Sequence, residues 1–164
     1  MHVRRKQKMF KERVAVIKGF DHVGICVSNL EKSLEFYCGV LGFKQVSDIS
    51  QPCEDSEESK AIGLPYVNAG RGVIIDTPNG EIELLDFRDK AEQSVTSMPV
   101  DSVGKLHLAF TVDDIEVEIK KLEANGIVFF GSPRSDNMGD DRVKWAYFKD
   151  PDGIMLEYVE RIKK

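Results

Sequence analysis

A repeat constrains the fold of this chain more than any other feature of its sequence. Residues 19–37, GFDHVGICVSNLEKSLEFY, are echoed 85 residues later by residues 104–122, GKLHLAFTVDDIEVEIKKL. Each copy has the alternating apolar pattern of a strand, then a capping residue and a helical apolar stripe. His22 matches His107 in the shared register, so a strand, a turn and a helix recur with a histidine at the same place.

Each histidine is followed, further along the chain, by a glutamate in a strand after a turn. Residues 78–80 (PNG) precede Glu83, and residues 151–153 (PDG) precede Glu157. The Asn-Gly pair is typical of a type I′ hairpin. The glycine stands three residues before Glu83 but four before Glu157, so the two hairpins are not in identical register. Two modules that each offer one His and one Glu could complete one four-ligand metal site.

The plain alternative is that these side chains belong to the solvated face of a sheet. The recurrence favours a metal site, because two of the three histidines are equivalent and each module adds a carboxylate in its last strand. Imidazole with carboxylate suits a divalent first-row ion such as Zn, Ni, Co, Mn or Fe. A salt-bridged core without a metal stays open as a further alternative.

The length of the chain, its net charge and the spacing of its cysteines limit the classes of protein to which it can belong. The 164 residues fit one compact domain, or two small modules that share a core. The formal charge of -5 is modest and interspersed, which argues against nucleic acid as a partner. No apolar run reaches the roughly 20 residues of a membrane helix, and residues 14–17 are too short for a secretory core. Cys26, Cys38 and Cys53 form no CxxC pair, so we expect reduced thiols and a cytoplasmic protein.

The chain divides into four parts. Residues 1–17 are a basic extension, 18–90 the first module, 91–103 a polar linker and 104–161 the second module. Each module is predicted to hold one helix, whose apolar stripe is Leu30, Leu34, Tyr37 and Leu41 in the first and Ile115, Ile119 and Leu122 in the second.

Two polar stretches interrupt the predicted strands. Residues 51–60 are acidic and without periodicity, and residues 131–141 are rich in Gly, Ser and Asp. We predict a mobile loop for each, and loops of this kind can act as lids over a ligand. Residues 43–49, which precede the first of them, are predicted to form a strand.

The chain resembles the vicinal oxygen chelate superfamily, which includes lactoylglutathione lyase, methylmalonyl-CoA epimerase, extradiol dioxygenases and the fosfomycin and bleomycin resistance proteins. The resemblance covers residues 18–160 and rests on the motifs DHVGICVSNLEKSLEFYCGVLGF, GEIELL, HLAFTVDDI and YFKDPDGIMLEYVE. It implies an α+β fold of paired βαβββ modules whose sheets form a half-open barrel around a metal site. It also implies a homodimer, and one divalent ion held by His22, Glu83, His107 and Glu157.

The complete set of two His and two Glu is most similar to that of the lyase and isomerase branch. The resemblance then implies Zn, Ni, Co or Mn, a small oxygenated substrate such as a thiol adduct of a 2-oxoaldehyde, and a proton shuttle at Glu157. Cys26 and Phe87 stand where the bacterial glyoxalase has an arginine and an asparagine that contact glutathione. Residues 65–68 hold no carboxylate where the epimerase has a second catalytic glutamate.

Three alternatives stay open beside the lyase or isomerase. An Fe(II) extradiol-type dioxygenase would use two His and one Glu, with Tyr147 standing ten residues before the last ligand. A thiol transferase of the resistance type and a metal-free ligand-binding protein are the others. Tyr147 is equally well explained as a half-buried strand aromatic.

Four further side chains are candidates for binding the substrate. Arg71, Arg134 and Lys144 lie near the predicted mouth of the site by motif position and could hold a carboxylate or a phosphate. Trp145 should share a strand face with Tyr147, as core or as pocket wall. The alternative for the three cations is an ordinary solvated surface.

Overall fold

A computed structural model gives the structure of residues 17–50, 56–64, 70–87, 99–138 and 141–163. Most of the basic extension, the first half of the predicted acidic loop and most of the linker lie outside the described residues. The sequence also predicts a short strand near residues 66–68, and these residues lie outside them as well.

The elements of the first module are β1 (His22–Cys26), α1 (Leu30–Leu34), β2 (Lys44–Gln45), α2 (Ser56–Ala61), β3 (Arg71–Thr77) and β4 (Gly80–Asp86). The four strands form one sheet in the order β1-β4-β3-β2. β1 runs parallel to β4, while β3 is antiparallel to both β4 and β2. Between β1 and β2 the helix α1 continues as a π-helix (Glu35–Val40).

The elements of the second module are β5 (His107–Thr111), α3 (Ile115–Ala124), β6 (Arg134–Met138), β7 (Asp141–Lys149) and β8 (Met155–Ile162). Its sheet repeats the arrangement of the first, in the order β5-β8-β7-β6 with β5 parallel to β8. The predicted α+β fold with paired βαβββ modules is therefore confirmed.

One face of each sheet is buried and the other is open, as the alternation of the strands predicts. In the first sheet Ile25, Ile75 and Leu84 are among the residues buried against the helix. In the second sheet Leu156 and Phe148 are buried in the same way. The buried faces and helices of both modules belong to one hydrophobic core. We call the opposite face of each sheet its open face, and it carries the predicted metal ligands.

Two local predictions were wrong, and a third was confirmed in part. The predicted acidic loop contains α2, and the predicted loop at residues 131–141 contains β6, which pairs with β7. The strand predicted at residues 43–49 is present as β2 over Lys44–Gln45, and the N–H of Val46 still donates to the carbonyl of Ile74 in β3. The structure of the polar segments at α2 and β6 depends on tertiary packing and pairing, because these segments have no periodic apolar face of their own.

The first hairpin also differs from the prediction. Thr77 pairs with Gly80, so Pro78 and Asn79 are the two central residues of the turn. A type I′ turn needs positive φ at both central residues, and proline holds φ near -65°. The Asn-Gly pair therefore straddles the end of the turn instead of forming its centre.

A buried hydrogen bond joins the two modules. Tyr37, fully buried in the π-helix, donates its hydroxyl to Asp150 Oδ2 at 2.9 Å. The other carboxylate oxygen of Asp150 accepts the backbone N–H groups of Asp152 and Ile154 at the β7–β8 turn. Burial raises the pKa of Asp150 and, even more strongly, that of Tyr37. This bond ties the helix of the first module to the turn of the second.

Removing the Tyr37 hydroxyl should destabilise the protein. We expect Tyr37→Phe to lower the free energy of unfolding by about 1–3 kcal/mol, because a buried carboxylate oxygen loses its donor. Urea unfolding followed by circular dichroism would measure the change. Tyr147→Phe, the same substitution at a partly exposed site, should cost clearly less, and equal losses would contradict the role of the buried bond.

The two modules also share a cluster of ion pairs at the N-terminus of the helix, which we call an ionic clamp. It consists of Glu31, Arg71 and Asp86 in the first module and of Glu116, Lys144 and Glu160 in the second. In the first module Asp86 Oδ2 accepts the N–H of Leu30 and pairs with Arg71, whose guanidinium also binds Glu31 through both carboxylate oxygens. In the second, Glu160 accepts the N–H of Ile115 and pairs with Lys144, which also binds Glu116. Each clamp fastens the end of the glutamate-bearing strand to the start of its helix.

The inner carboxylate of a clamp should matter more than the outer one. Asp86 is largely buried and holds both a backbone N–H and the guanidinium of Arg71, whereas Glu31 is exposed. We expect Asp86→Asn to cost about 1–2 kcal/mol of unfolding free energy. Glu31→Gln removes the same charge from the same guanidinium and should cost clearly less. Chemical unfolding of both variants measures this, and the reverse order would refute the clamp.

Candidate metal centre

The first candidate pair of ligands lies on the open face of the first sheet. His22 Nε2 is 3.4 Å from Glu83 Oε2, across the parallel strands β1 and β4. The other ring nitrogen, Nδ1, lies 2.8 Å from the carboxylate of Asp21. The hydrogen bond with Asp21 is the main cause that raises the pKa of His22. Such a bond fixes the tautomer that leaves Nε2 available as a ligand.

The second candidate pair repeats this geometry on the open face of the second sheet. His107 Nε2 is 3.1 Å from Glu157 Oε2. In both sheets the glutamate is the register partner of the residue two places after the histidine, which is Gly24 in β1 and Ala109 in β5. The unequal spacing of the two PxG turns therefore does not disturb the match, because the register is set by the strands.

Each pair fits a divalent ion. Zinc and similar ions bind imidazole nitrogen and carboxylate oxygen at about 2.0–2.2 Å, so two neighbouring ligand atoms stand about 3.0–3.5 Å apart. The two observed separations, 3.4 Å and 3.1 Å, agree with that requirement. His with Glu is also the donor set that Zn, Ni, Co, Mn and Fe accept.

One chain does not bring the four predicted ligands together. Among the described residues, no three of His22, Glu83, His107 and Glu157 have ligand atoms within 4.8 Å of one another. The group that meets this distance is Asp114, Glu116 and Glu160. The ammonium of Lys144 already lies against Glu116 and Glu160, so we assign this acidic group to the second clamp and not to a metal.

Tyr147 and Trp145 lie on the open face of the second sheet. The Tyr147 ring meets the ring of His107 edge-on, with 5.5 Å between the centroids. Burial and the nearby Glu157 carboxylate raise the pKa of Tyr147. With Arg134 and Phe130, both aromatic side chains line a cavity of about 470 Å³. The structure thus brings Tyr147 to the His–Glu pair and Arg134 and Trp145 to the same face.

The other two predicted substrate-binding cations have structural partners. Arg71 alternates with the buried Val73 and Ile75 along β3, and Lys144 belongs to the second clamp. Both therefore lie on the helix side of their sheets, engaged by carboxylates. Substrate binding by Arg71 and Lys144 stays a prediction. The ion pairs of the two clamps already account for a positive charge at each of these positions.

A larger cavity lies on the first module beside Glu83. It measures about 810 Å³, and its lining includes Cys26, Ile74, Leu85 and Phe87. Residues around α2, among them Ser59, Ile62 and Leu64, complete the lining. We did not predict this cavity, because the stretch containing α2 has the composition of a solvated loop. Asp21, which orients His22, was missed as well, although its position directly before the histidine was a usable signal.

The part of the chain that the structure describes contains no helix long and apolar enough to cross a membrane.

Known proteins share both the sequence pattern and the fold. The uncharacterized protein YaeR of Escherichia coli strain K12 is 31% identical over 146 residues, which cover 88% of this chain and 98% of YaeR. A probable lactoylglutathione lyase of Synechocystis is 27% identical over 143 residues, covering 87% of this chain and 95% of that protein. The crystal structure of a glyoxalase family protein from Bacillus cereus superposes with a TM-score of 0.75 at 21% identity, covering 92% and 99% of the two chains.

The family match spans almost all of the described fold. Residues 19–158, which include both His–Glu pairs and all the strands but the end of β8, match the family described as the Glyoxalase/Bleomycin resistance protein/Dioxygenase superfamily. The chain belongs to this superfamily.

Proposed function

We propose that this protein is a metal-dependent lyase or isomerase whose metal is held by His22, Glu83, His107 and Glu157. The observation that carries the proposal is the pair of equivalent His–Glu contacts on the open faces of two sheets with the same topology. Because one chain keeps the two pairs apart, we further propose that each metal lies between the first open face of one chain and the second open face of another.

Unpaired strand edges support this second copy. β1 and β5 are each at the end of their sheet, so each has one edge without a strand partner among the described residues. Phe20 and Leu106, which precede these strands, are 78% and 61% exposed. Open edges and exposed apolar side chains both favour association, and the two edges carry the histidines. A dimer that joins β1 of one chain to β5 of the other would place four ligands together.

The chemistry of the site rests on one of the proposed ligands, Glu157, which can also carry a proton. A bound divalent ion would stabilise negative charge that develops on neighbouring oxygens of a substrate. The Glu157 side chain is 12% exposed, and its carboxylate can take a proton from the carbon next to a carbonyl and return it to the adjacent carbon. Tyr147 contacts Glu157 and can orient that carboxylate, while Arg134 and Trp145 offer a cation and a ring to the substrate.

A lyase or isomerase fits this site better than an Fe(II) dioxygenase does. A dioxygenase needs two His and one Glu, which would leave one of the glutamates without a role. Glu83 and Glu157 have the same register relation to their histidines, so no feature of the pairing marks Glu83 as dispensable. The relative from Synechocystis named as a probable lactoylglutathione lyase agrees with this choice.

Both glutamates should be needed for metal binding. We expect wild-type protein, purified without chelator, to carry about one Zn, Ni, Co or Mn ion per chain, and Glu83→Ala and Glu157→Ala each to lose most of it. Elemental analysis measures the ion content. Glu81→Ala is the matched control, since Glu81 is an exposed neighbour on the same strand.

The same measurement separates the alternatives. Iron in the wild type, with full iron retention in Glu83→Ala, would replace this proposal by the dioxygenase. A wild type that takes up no metal on reconstitution would make the two His–Glu contacts simple ion pairs and favour a ligand-binding protein.

A site shared between chains should be restored by mixing two defective variants. His22→Ala keeps the second half-site and His107→Ala keeps the first, so a mixed dimer has one intact site out of two. After unfolding and refolding together, an equal mixture should regain about one quarter of the wild-type metal content, because about half of the dimers are mixed. Each variant refolded alone is the control. If the mixture binds no more metal than the controls, the site is not shared in this way.

A further inference from the structure

The cavity beside Glu83 has a lining that indicates the chemical character of the substrate. Its volume of about 810 Å³ falls in the range of ligand-binding pockets, about 300–1,000 Å³. Five of its lining side chains are large and apolar: Ile62, Leu64, Ile74, Leu85 and Phe87. A pocket with such a lining gains free energy chiefly by burying apolar surface of its ligand.

Glycines in and beside β3 let two side chains of the cavity wall pack closely against the backbone. A methyl group added at Gly72 would stand 3.2 Å from Leu85, and one added at Gly70 would stand 2.7 Å from the ring of Phe87. The Phe87 ring therefore packs directly against the backbone at Gly70, where any side chain would displace it. This contact holds an aromatic ring as a fixed part of the cavity wall.

The charges around the cavity are unfavourable for an anion. Among the described residues, the lining contains the carboxylates of Asp48 and Glu83 and one basic residue, Arg71, whose side chain lies on the helix side of the sheet. The guanidinium of Arg71 is already bound by both oxygens of Glu31 and by Asp86. A carboxylate or phosphate placed here would lose its hydration beside two acidic groups and find a cation whose charge is already balanced.

We propose that this cavity binds an uncharged, apolar alkyl or aromatic group of the substrate, next to the oxygens that would reach the metal. The substrate is then an apolar oxygenated compound and not an adduct of a carrier with several carboxylates or phosphates. Cys26 and Phe87 both line this cavity, and neither side chain carries a charge that could hold an anionic carrier. This proposal rests on the proposed function for the position of the metal, but the cavity can be tested separately.

Two fluorescent probes that differ by one charge give the test. N-phenyl-1-naphthylamine is neutral, and 1-anilinonaphthalene-8-sulfonate has the same rings with a sulfonate. We expect wild-type protein to bind the neutral probe at least about tenfold more tightly than the sulfonate, a difference that corresponds to about 1.4 kcal/mol. Equal or tighter binding of the sulfonate would overturn the proposal. Competition by glutathione or coenzyme A at similar concentrations would overturn it as well.

Two matched tryptophan variants locate the probe. Leu85→Trp would place a ring inside the cavity and should weaken binding of the neutral probe at least about tenfold. Val159 is the equivalent position in the second sheet, because Leu85 and Val159 pair with the equivalent residues Cys26 and Thr111. Val159→Trp should leave the affinity unchanged, provided that circular dichroism shows both variants folded. An unchanged affinity in Leu85→Trp would place the probe elsewhere and refute the proposal.

A third variant tests the charge argument without filling the cavity. Cys26→Arg adds a cation to the lining and should bring the two probe affinities closer together. If the ratio of the two probe affinities is the same in Cys26→Arg as in the wild type, charge does not determine the preference for the neutral probe, and the charge argument is refuted. Metal content measured on the same samples keeps the two claims apart: probe binding without metal would contradict the proposed function alone, and metal without probe binding would contradict the cavity proposal alone.

Discussion

The packing of both helix-covered sheet faces into one core is the constraint on which the rest of the structure depends. Each sheet has a single apolar face, and burying both faces in one cluster satisfies them within one chain. The buried bond from Tyr37 to Asp150 holds the junction, since an unpaired carboxylate there would be costly. The consequence for function is direct. The two His–Glu pairs lie on the open faces, and among the described residues no three of their four ligand atoms lie within 4.8 Å of one another.

The ionic clamps show how a repeat can be preserved in geometry while its residues change. Arg71 with Asp86 in one module and Lys144 with Glu160 in the other perform the same task with different side chains. Both clamps hold the strand that carries a candidate metal ligand, Glu83 or Glu157, against the first turn of the helix. A ligand on a strand that is anchored at its end is already held near its binding position. It therefore loses little conformational freedom when the ion binds.

The two open faces are similar in their ligands but different in their surroundings. The first has a roomy cavity with aliphatic side chains and the ring of Phe87, and the second has Trp145 and Arg134 around a smaller one. If two chains join these faces around one ion, the substrate meets an apolar wall on one side and an aromatic and cationic wall on the other. Such an asymmetric site can orient its substrate, which two identical halves could not do.

The sequence by itself determined the repeat, the face of each strand and the residues of both His–Glu pairs. These follow from periods of 2 and 3.6 residues, which are local properties of strands and helices. It failed at α2, at β6 and at the central residues of the first hairpin, where polar segments take their structure from what they pack against. Only the tertiary structure decided that Arg71 and Lys144 belong to clamps, that Phe87 packs on Gly70, and that one chain separates the two pairs. Those features depend on contacts between residues distant in sequence, and periodicity contains no information about how two modules turn relative to each other.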